Sequence, residues 1–121
     1  MKILHIEDNA EIVEPAKLVF ESAGHHYDYA LDAKMGLQAI RDRKYDVVFL
    51  DLMMPDFSGF DVLNSLTNER LMKKQPIFVF SAMTLPKEEE MRLLKQGVHN
   101  VLRKPIFLAD LIKKIEMLQV H

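Results

Sequence analysis

The chain has 121 residues, no cysteine and a formal net charge of -2. That fits a single domain and excludes disulfides, thiolate chemistry, Cys-ligated zinc and a broad basic face for direct nucleic-acid binding. Hydrophobic residues make up 49% and charged residues 28% of the chain; these are ordinary globular proportions, from which folding buries roughly two-thirds of the unfolded surface.

The first expected strand covers residues 2–6, KILHI. Its apolar stretch is too short for a signal peptide, and no later run reaches the length of a membrane helix, so the chain reads as soluble and cytoplasmic, one domain over residues 1–121. Asn9 or Asp8 caps a helix to about Ala23, with Ile12, Val13, Ala16, Val19, Phe20 and Ala23 at helical spacing. Gly24 ends it as a C′ glycine. A short strand over 26–30 and a helix over 33–43 follow. Residues 46–50 form the best-defined strand, because Val47-Val48-Phe49-Leu50 is continuous rather than alternating, as in a parallel strand covered on both faces.

A helix is expected over 59–67, a polar loop over 68–75 and a buried strand over 76–81, with Pro76 at its first position. Pro86 marks the first turn of the next helix, Glu88, Glu89 and Glu90 favour its positive end, and Gly97 closes it. A strand over 99–102 and a final helix over 107–119 complete the pattern. Five strand–helix repeats imply an α/β fold with a doubly wound parallel sheet and right-handed crossovers. In such a sheet the ligand sits outside the carboxyl ends of the strands.

Those ends carry the chemistry. Strand one ends at Glu7-Asp8, strand three at Asp51, strand four at Ser81-Ala82 and strand five at Arg103-Lys104-Pro105. Two carboxylates about 4 Å apart repel by roughly 4 kcal/mol at an effective dielectric near 20, a cost most readily met by a cation between them. Asp8 and Asp51 make a hard oxygen site suited to Mg²⁺ or Mn²⁺, with Glu7 acting from the rim or through a water. A carboxylate held ionised beside a cation can attack a phosphoryl group. Lys104 supplies a movable ammonium for phosphoryl oxygens, Ser81 a hydroxyl to bond one, and Pro105 restricts the lysine backbone, where a cis bond would aim the side chain.

Glu7-Asp8, Asp51 with Met54-Pro55 and Gly59, Ser81-Ala82 and Lys104-Pro105 together resemble the response-regulator receiver domain of two-component signalling, the CheY-like superfamily. The resemblance runs end to end. It implies a five-stranded flavodoxin-like sheet in the order 2-1-3-4-5. It further implies Asp51 as the acceptor of a phosphoryl group from a histidine kinase or phosphotransfer protein, and Mg²⁺ held by Asp8, Asp51 and the Met53 carbonyl with support from Glu7. Ser81 and Lys104 would close on the phosphoryl group, changing the face of the fourth helix, fifth strand and fifth helix for a downstream protein target. The state implied is a monomer or a phosphorylation-dependent dimer.

Val101, three residues before Lys104, departs from the pattern: the family usually carries Tyr or Phe there, and Phe107 and His99 are the nearby aromatic substitutes. Met53 and Met83 lie two residues beyond Asp51 and Ser81; neither side chain readily orients an attacking water, so hydrolysis is expected to be slow unless both are simply gap fillers. The five histidines show no metal-ligand spacing.

Four other readings compete. A phosphohydrolase would want an acid at the Met53 position. A nucleotide- or flavin-binding domain would want a glycine-rich loop, and GxGxxG and GxxxxGK[ST] are absent. A phosphorylation-independent scaffold of the same fold is argued against by the intact acidic pair, Asp51, Ser81 and Lys104. The chain ends soon after the last helix, as a stand-alone regulator or the excised receiver of a longer DNA-binding regulator would.

Overall fold

The computed structural model describes residues 1–119. Its elements are β1 (Lys2–Ile6), α1 (Ala10–Ser22), β2 (His26–Ala30), α2 (Ala33–Asp42), β3 (Val47–Asp51), α3 (Gly59–Asn68), β4 (Ile77–Ser81), α4 (Lys87–Gln96), β5 (Asn100–Arg103) and α5 (Leu108–Glu116). Short 3-10 turns occupy Met72–Lys74 and Met117–Gln119. All strand pairs are parallel and the order is β2-β1-β3-β4-β5, a flavodoxin-like α/β fold.

The apolar runs alternate within this sheet even though their residues are all apolar. Leu4, Ile6, Val48, Leu50, Ile77 and Val79 point to one face, where Leu37 and Ile40 of α2, Val62 and Leu66 of α3 and Leu93 of α4 cover them. Ile3, Val47, Phe49, Phe78 and Phe80 point to the other, under Ala16 and Phe20 of α1 and Leu111 and Ile115 of α5. Burial on both sides is why no polar residue interrupts Val47–Asp51 until its last position.

Local chemistry sets the ends. Asn9 caps α1 by accepting from the Glu11 N–H at 2.9 Å, and Gly24 (φ 90°) and Gly97 (φ 116°) take the left-handed conformation after α1 and at the end of α4. Pro86 caps α4 rather than occupying its first turn. The stretch 68–75, expected as a polar loop, holds a 3-10 turn that buries Met72 and Gln75. Lys74 of that turn donates to the Ile40 and Arg43 carbonyls at the end of α2, where a cation meets both orphan acceptors and the negative helix end.

One polar side chain lies inside the α1/α5 layer. His5 is buried, sits edge-on to Phe49 and Phe80 with ring centroids 5.6 Å apart in each case, and meets the Tyr27 hydroxyl through Nδ1 at 2.5 Å. Burial, reinforced by the Lys104 charge, drives its pKa from 6.5 to about 3. The folded chain therefore holds His5 neutral where the unfolded chain takes up a proton. Stability that is present above pH 6.5 is lost as pH falls toward 3. Between about pH 7.5 and 5, wild type should lose about 2 kcal/mol relative to His5→Leu. Urea denaturation of both proteins at the two pH values measures this, and parallel pH profiles would refute it.

Candidate functional site

β1 and β3 run side by side with Ile6 opposite Leu50. Each strand continues into a carboxylate, so Glu7 and Asp51 emerge next to each other at the same edge of the sheet. Asp8 joins them, and one carboxylate oxygen from each of the three lies within 4.8 Å of the others. Glu7 and Asp51 are 1% and 4% exposed, whereas Asp8 is exposed. The expectation that Glu7 stands at the rim is thus corrected. Its N–H still extends the ladder to the Ala30 carbonyl at 3.0 Å, which keeps its side chain inside, and the chain swings outward only at Asp8.

Lys104 crosses to this cluster from the end of β5. Its backbone N–H donates to the Ser81 carbonyl at 2.8 Å, and its ammonium donates to Asp51 Oδ2 at 3.1 Å and to Glu7 Oε1. The following Lys104-Pro105 peptide is cis. Asp51 Oδ1 accepts from the Met53 N–H at 3.0 Å. Burial pushes Glu7 up to about 7; the hydrogen bond from Lys104 offsets part of this, and Asp51 adds to it. Burial alone would lower Lys104, but its bonds to Glu7 and Asp51 and their charges outweigh that and raise its pKa above the ordinary value. Lys104 is the internal counterion of the two buried carboxylates.

Ser81 is not drawn into this group. Its hydroxyl donates to the Met83 carbonyl at 2.7 Å and accepts from the Met83 N–H at 3.2 Å, a closed local turn with its own loop. Met53 and Met83 are 51% and 58% exposed, so the gap-filler account of them fails. Val101 is half-buried against the α2–α4 side of the core. A cavity of about 90 Å³ lies between it, Ser81 and Leu85. Neither aromatic substitute fills that place: Phe107 is exposed at the start of α5, and His99 stacks on Phe78 at 5.2 Å on the opposite face.

Residues 3–116 match the family model of the response regulator receiver domain. The chain belongs to this family. As a receiver domain it is a signal-transduction module of two-component systems and not an enzyme with an external substrate. It is 34% identical over 117 residues to the cell cycle response regulator CtrA of Brucella ovis, covering 95% of this chain and 48% of that protein. It is 29% identical over 116 residues to the aerobic respiration control sensor protein ArcB of Escherichia coli K12, covering 96% of this chain and 15% of that protein. The receiver domain thus spans half or less of these relatives' length.

Among solved structures it resembles the Francisella response regulator 1452 receiver domain, at 31% identity and TM-score 0.86 over 97% of this chain and 94% of that one. The chemotaxis protein CheY4 of Vibrio cholerae, 24% identical with TM-score 0.84 over 96% of each chain, shares the fold. No helix among the described residues is long and apolar enough to cross a membrane.

Proposed function

We propose that this receiver domain is a phosphorylation-operated switch in which Asp51 accepts a phosphoryl group from a histidine kinase or a phosphotransfer protein. The observation that carries the reading is a buried carboxylate at the carboxyl end of β3, with two more carboxylates beside it and the Lys104 ammonium 3.1 Å from its Oδ2. The donor set is all hard oxygen, which fits Mg²⁺, or Mn²⁺ in its place. Asp8, Asp51 and the Met53 carbonyl would hold it, with Glu7 in support. When bound it would supply positive charge against the carboxylates and the incoming phosphoryl oxygens.

In the transfer, an Asp51 carboxylate oxygen forms a bond to phosphorus as the bond from phosphorus to the donor's imidazole nitrogen breaks, and the donor histidine leaves with the electron pair. Asp51 has only to be aimed and kept ionised, since phosphoryl transfer is mostly positioning and charge. Phosphorylation replaces the single negative charge of the Asp51 carboxylate with roughly two on the phosphoryl oxygens and adds strong acceptors, at a site already crowded with carboxylates. Lys104 would exchange Glu7 for a phosphoryl oxygen, and Ser81 would leave Met83 to donate to another. The β4–α4 loop that carries Met83 must then move, altering the surface of α4, β5 and α5 that a downstream protein reads. With valine at 101 and the small cavity beside it, that loop closes against less side-chain bulk than an aromatic would supply.

The only chemistry the domain catalyses in this reading is gain and loss of its own phosphoryl group, in the cytoplasm, as a monomer or a phosphorylation-dependent dimer. Incubation with acetyl phosphate should add one phosphoryl group by intact mass, require Mg²⁺, and fail entirely in Asp51→Asn. In the same assay, replacing Met53 and Met83 by Asn or Glu should shorten the phosphoryl lifetime, because these side chains can orient a water. No mass gain by folded wild type would instead favour a phosphorylation-independent scaffold.

A further inference from the structure

At the amino-terminal edge of the sheet, the pole opposite Asp51, two stretches of chain lie side by side. Residues 40–46 lead from α2 into β3, and residues 69–76 lead from α3 into β4. Arg41 ties them with a two-pronged bond to Glu69 at 2.7 and 2.6 Å, and Lys74 donates to the Ile40 and Arg43 carbonyls. Residues 41–46 and 69–74 hold six cations, Arg41, Arg43, Lys44, Arg70, Lys73 and Lys74, against three carboxylates, in a chain whose net charge is -2. All six cations are exposed. The three carboxylates are already engaged: Glu69 by Arg41, Asp46 by the Lys2 N–H at 2.7 Å and Asp42 by the Gln38 amide at 2.9 Å. Lys44, Arg70 and Lys73 have no ion-pair partner among the described residues. The elements α4, β5 and α5 also carry cations, but Glu88, Glu89, Glu90, Asp110 and Glu116 nearly balance them.

We infer that this pole docks a short, carboxylate-rich segment of a partner protein, held by Lys44, Arg70 and Lys73. Compensation of helix ends accounts for Lys74, which bonds the last carbonyls of α2; it does not account for the other three. Arg70 is held at φ 60°, a left-handed backbone that favours glycine and is costly for an arginine. Its guanidinium is the fork that matches a carboxylate. The bonds from Arg41 and Lys74 fix the two stretches to each other before any partner arrives, which lowers the ordering cost of binding. Charge and polarity narrow the occupant. A DNA duplex carries a charge every ~1.7 Å and would run past the patch over a chain that is acidic as a whole. An anionic membrane would want an apolar anchor, but Met72 is buried and Leu71 half-buried. The surface lies a full strand's length from Asp51, about 16 Å, so a partner here leaves the acidic crevice open.

The test is a titration of the full, unphosphorylated chain with acetylated and amidated octaglutamate, followed by its backbone amide resonances. Saturable shifts over residues 40–46 and 69–76 are expected. Affinity should fall roughly tenfold between about 50 and 300 mM NaCl, and roughly tenfold when Lys44→Glu and Lys73→Glu are combined. Arg70→Gly should weaken binding about threefold while unfolding at no lower temperature than wild type, because glycine relaxes the left-handed backbone; loss of binding is then not loss of fold. Lys113→Glu combined with Lys114→Glu, the same charge change placed on α5, should leave the affinity as it was. Absent or non-saturating shifts, shifts centred on α4 and α5, or full affinity in the Lys44→Glu, Lys73→Glu protein would each overturn the assignment. So would tighter binding to a short DNA duplex or to phosphatidylserine vesicles than to the peptide, since the partner would then be of another class. None of these readouts involves Asp51 chemistry, so failure here and failure of phosphorylation are separately visible.

Discussion

Lys104→Met is expected to lower the stability of the receiver domain by roughly 3 kcal/mol at neutral pH and to tighten its binding of Mg²⁺. Methionine keeps most of the side-chain volume and removes the charge. What remains are Glu7 and Asp51, both buried, with carboxylate oxygens within 4.8 Å of each other. Leaving a buried charge without its partner is the costly half of a buried ion pair, whatever the pair itself contributes.

The pH dependence has a definite sign. Glu7 already has its pKa raised from 4.5 to about 7 in the folded protein, so its contribution to stability is fully present below 4.5 and lost as pH rises through 7. Without Lys104 that pKa rises further, and the deficit of the variant should grow from about pH 6 to pH 8. The ammonium also holds one oxygen each of Asp51 and Glu7, two of the carboxylates proposed to hold or support the divalent ion. Removing it should therefore tighten Mg²⁺ binding by about tenfold, equivalent to about 1.4 kcal/mol, and Mg²⁺ should restore much of the lost stability. Urea denaturation at the two pH values, with and without the metal, reads all three effects. A deficit independent of pH together with unchanged metal affinity would mean that Lys104 is not the counterion.

What could be read from the residues beforehand, and what could not, divides along the range of the interaction. The strands were legible because a doubly covered parallel strand leaves no polar position, as in Val47-Val48-Phe49-Leu50. The sheet then fixes which chain segments share an edge, so Glu7-Asp8, Asp51, Ser81 and Lys104 fall at one end of it. The partner each group takes was not legible. Nothing in the pair Glu7-Asp8 says which carboxylate turns inward; the ladder bond from Glu7 to Ala30 decides it. Lys104 and Glu7 are separated by 97 positions, and only the fold brings them together. Ser81 goes the other way: its hydroxyl is captured by the backbone two residues on, the usual local competitor for a serine at a turn.

Two misreadings have simpler causes. Charge across 68–75 suggested a loop, yet Met72 and Gln75 pack inside while the lysines face out, a pattern too short for periodicity to register. His5 looked like one more histidine without metal-ligand spacing. The informative signal was its place in the run Ile3-Leu4-His5-Ile6, where a strand buried on both faces must take the imidazole into the core. Pro15 shows tertiary packing overriding a local rule, since α1 continues through it, with Val13, Ala16 and Phe20 buried along one side.

Gly59→Ala should be the most damaging small substitution near the site, costing roughly 3 kcal/mol and slowing phosphorylation of Asp51. Helix propensity alone predicts the opposite sign, because alanine is favoured over glycine in a helix by about 1 kcal/mol. Geometry outweighs it. A Cβ at Gly59 would lie 2.4 Å from the Asp51 carbonyl oxygen and 2.7 Å from the Leu52 Cα, and both are backbone atoms of the central strand or the residue that follows it. β3 is paired on both sides, so α3 must retreat instead. Retreat strains the bond from the Gly59 N–H to the Leu52 carbonyl and the box in which Ser58 and Asp61 cap one another. It also tilts the loop that carries the Met53 N–H bonded to Asp51 Oδ1. Gly36→Ala is the matched control: its Cβ would come within 2.5–2.8 Å of Ile6, but of side-chain atoms only, so it should lose stability with little change in phosphorylation rate. Thermal denaturation and acetyl phosphate kinetics on the two variants separate these cases. A Gly59→Ala protein as stable and as readily phosphorylated as wild type would show that the loop after β3 has room that these distances deny.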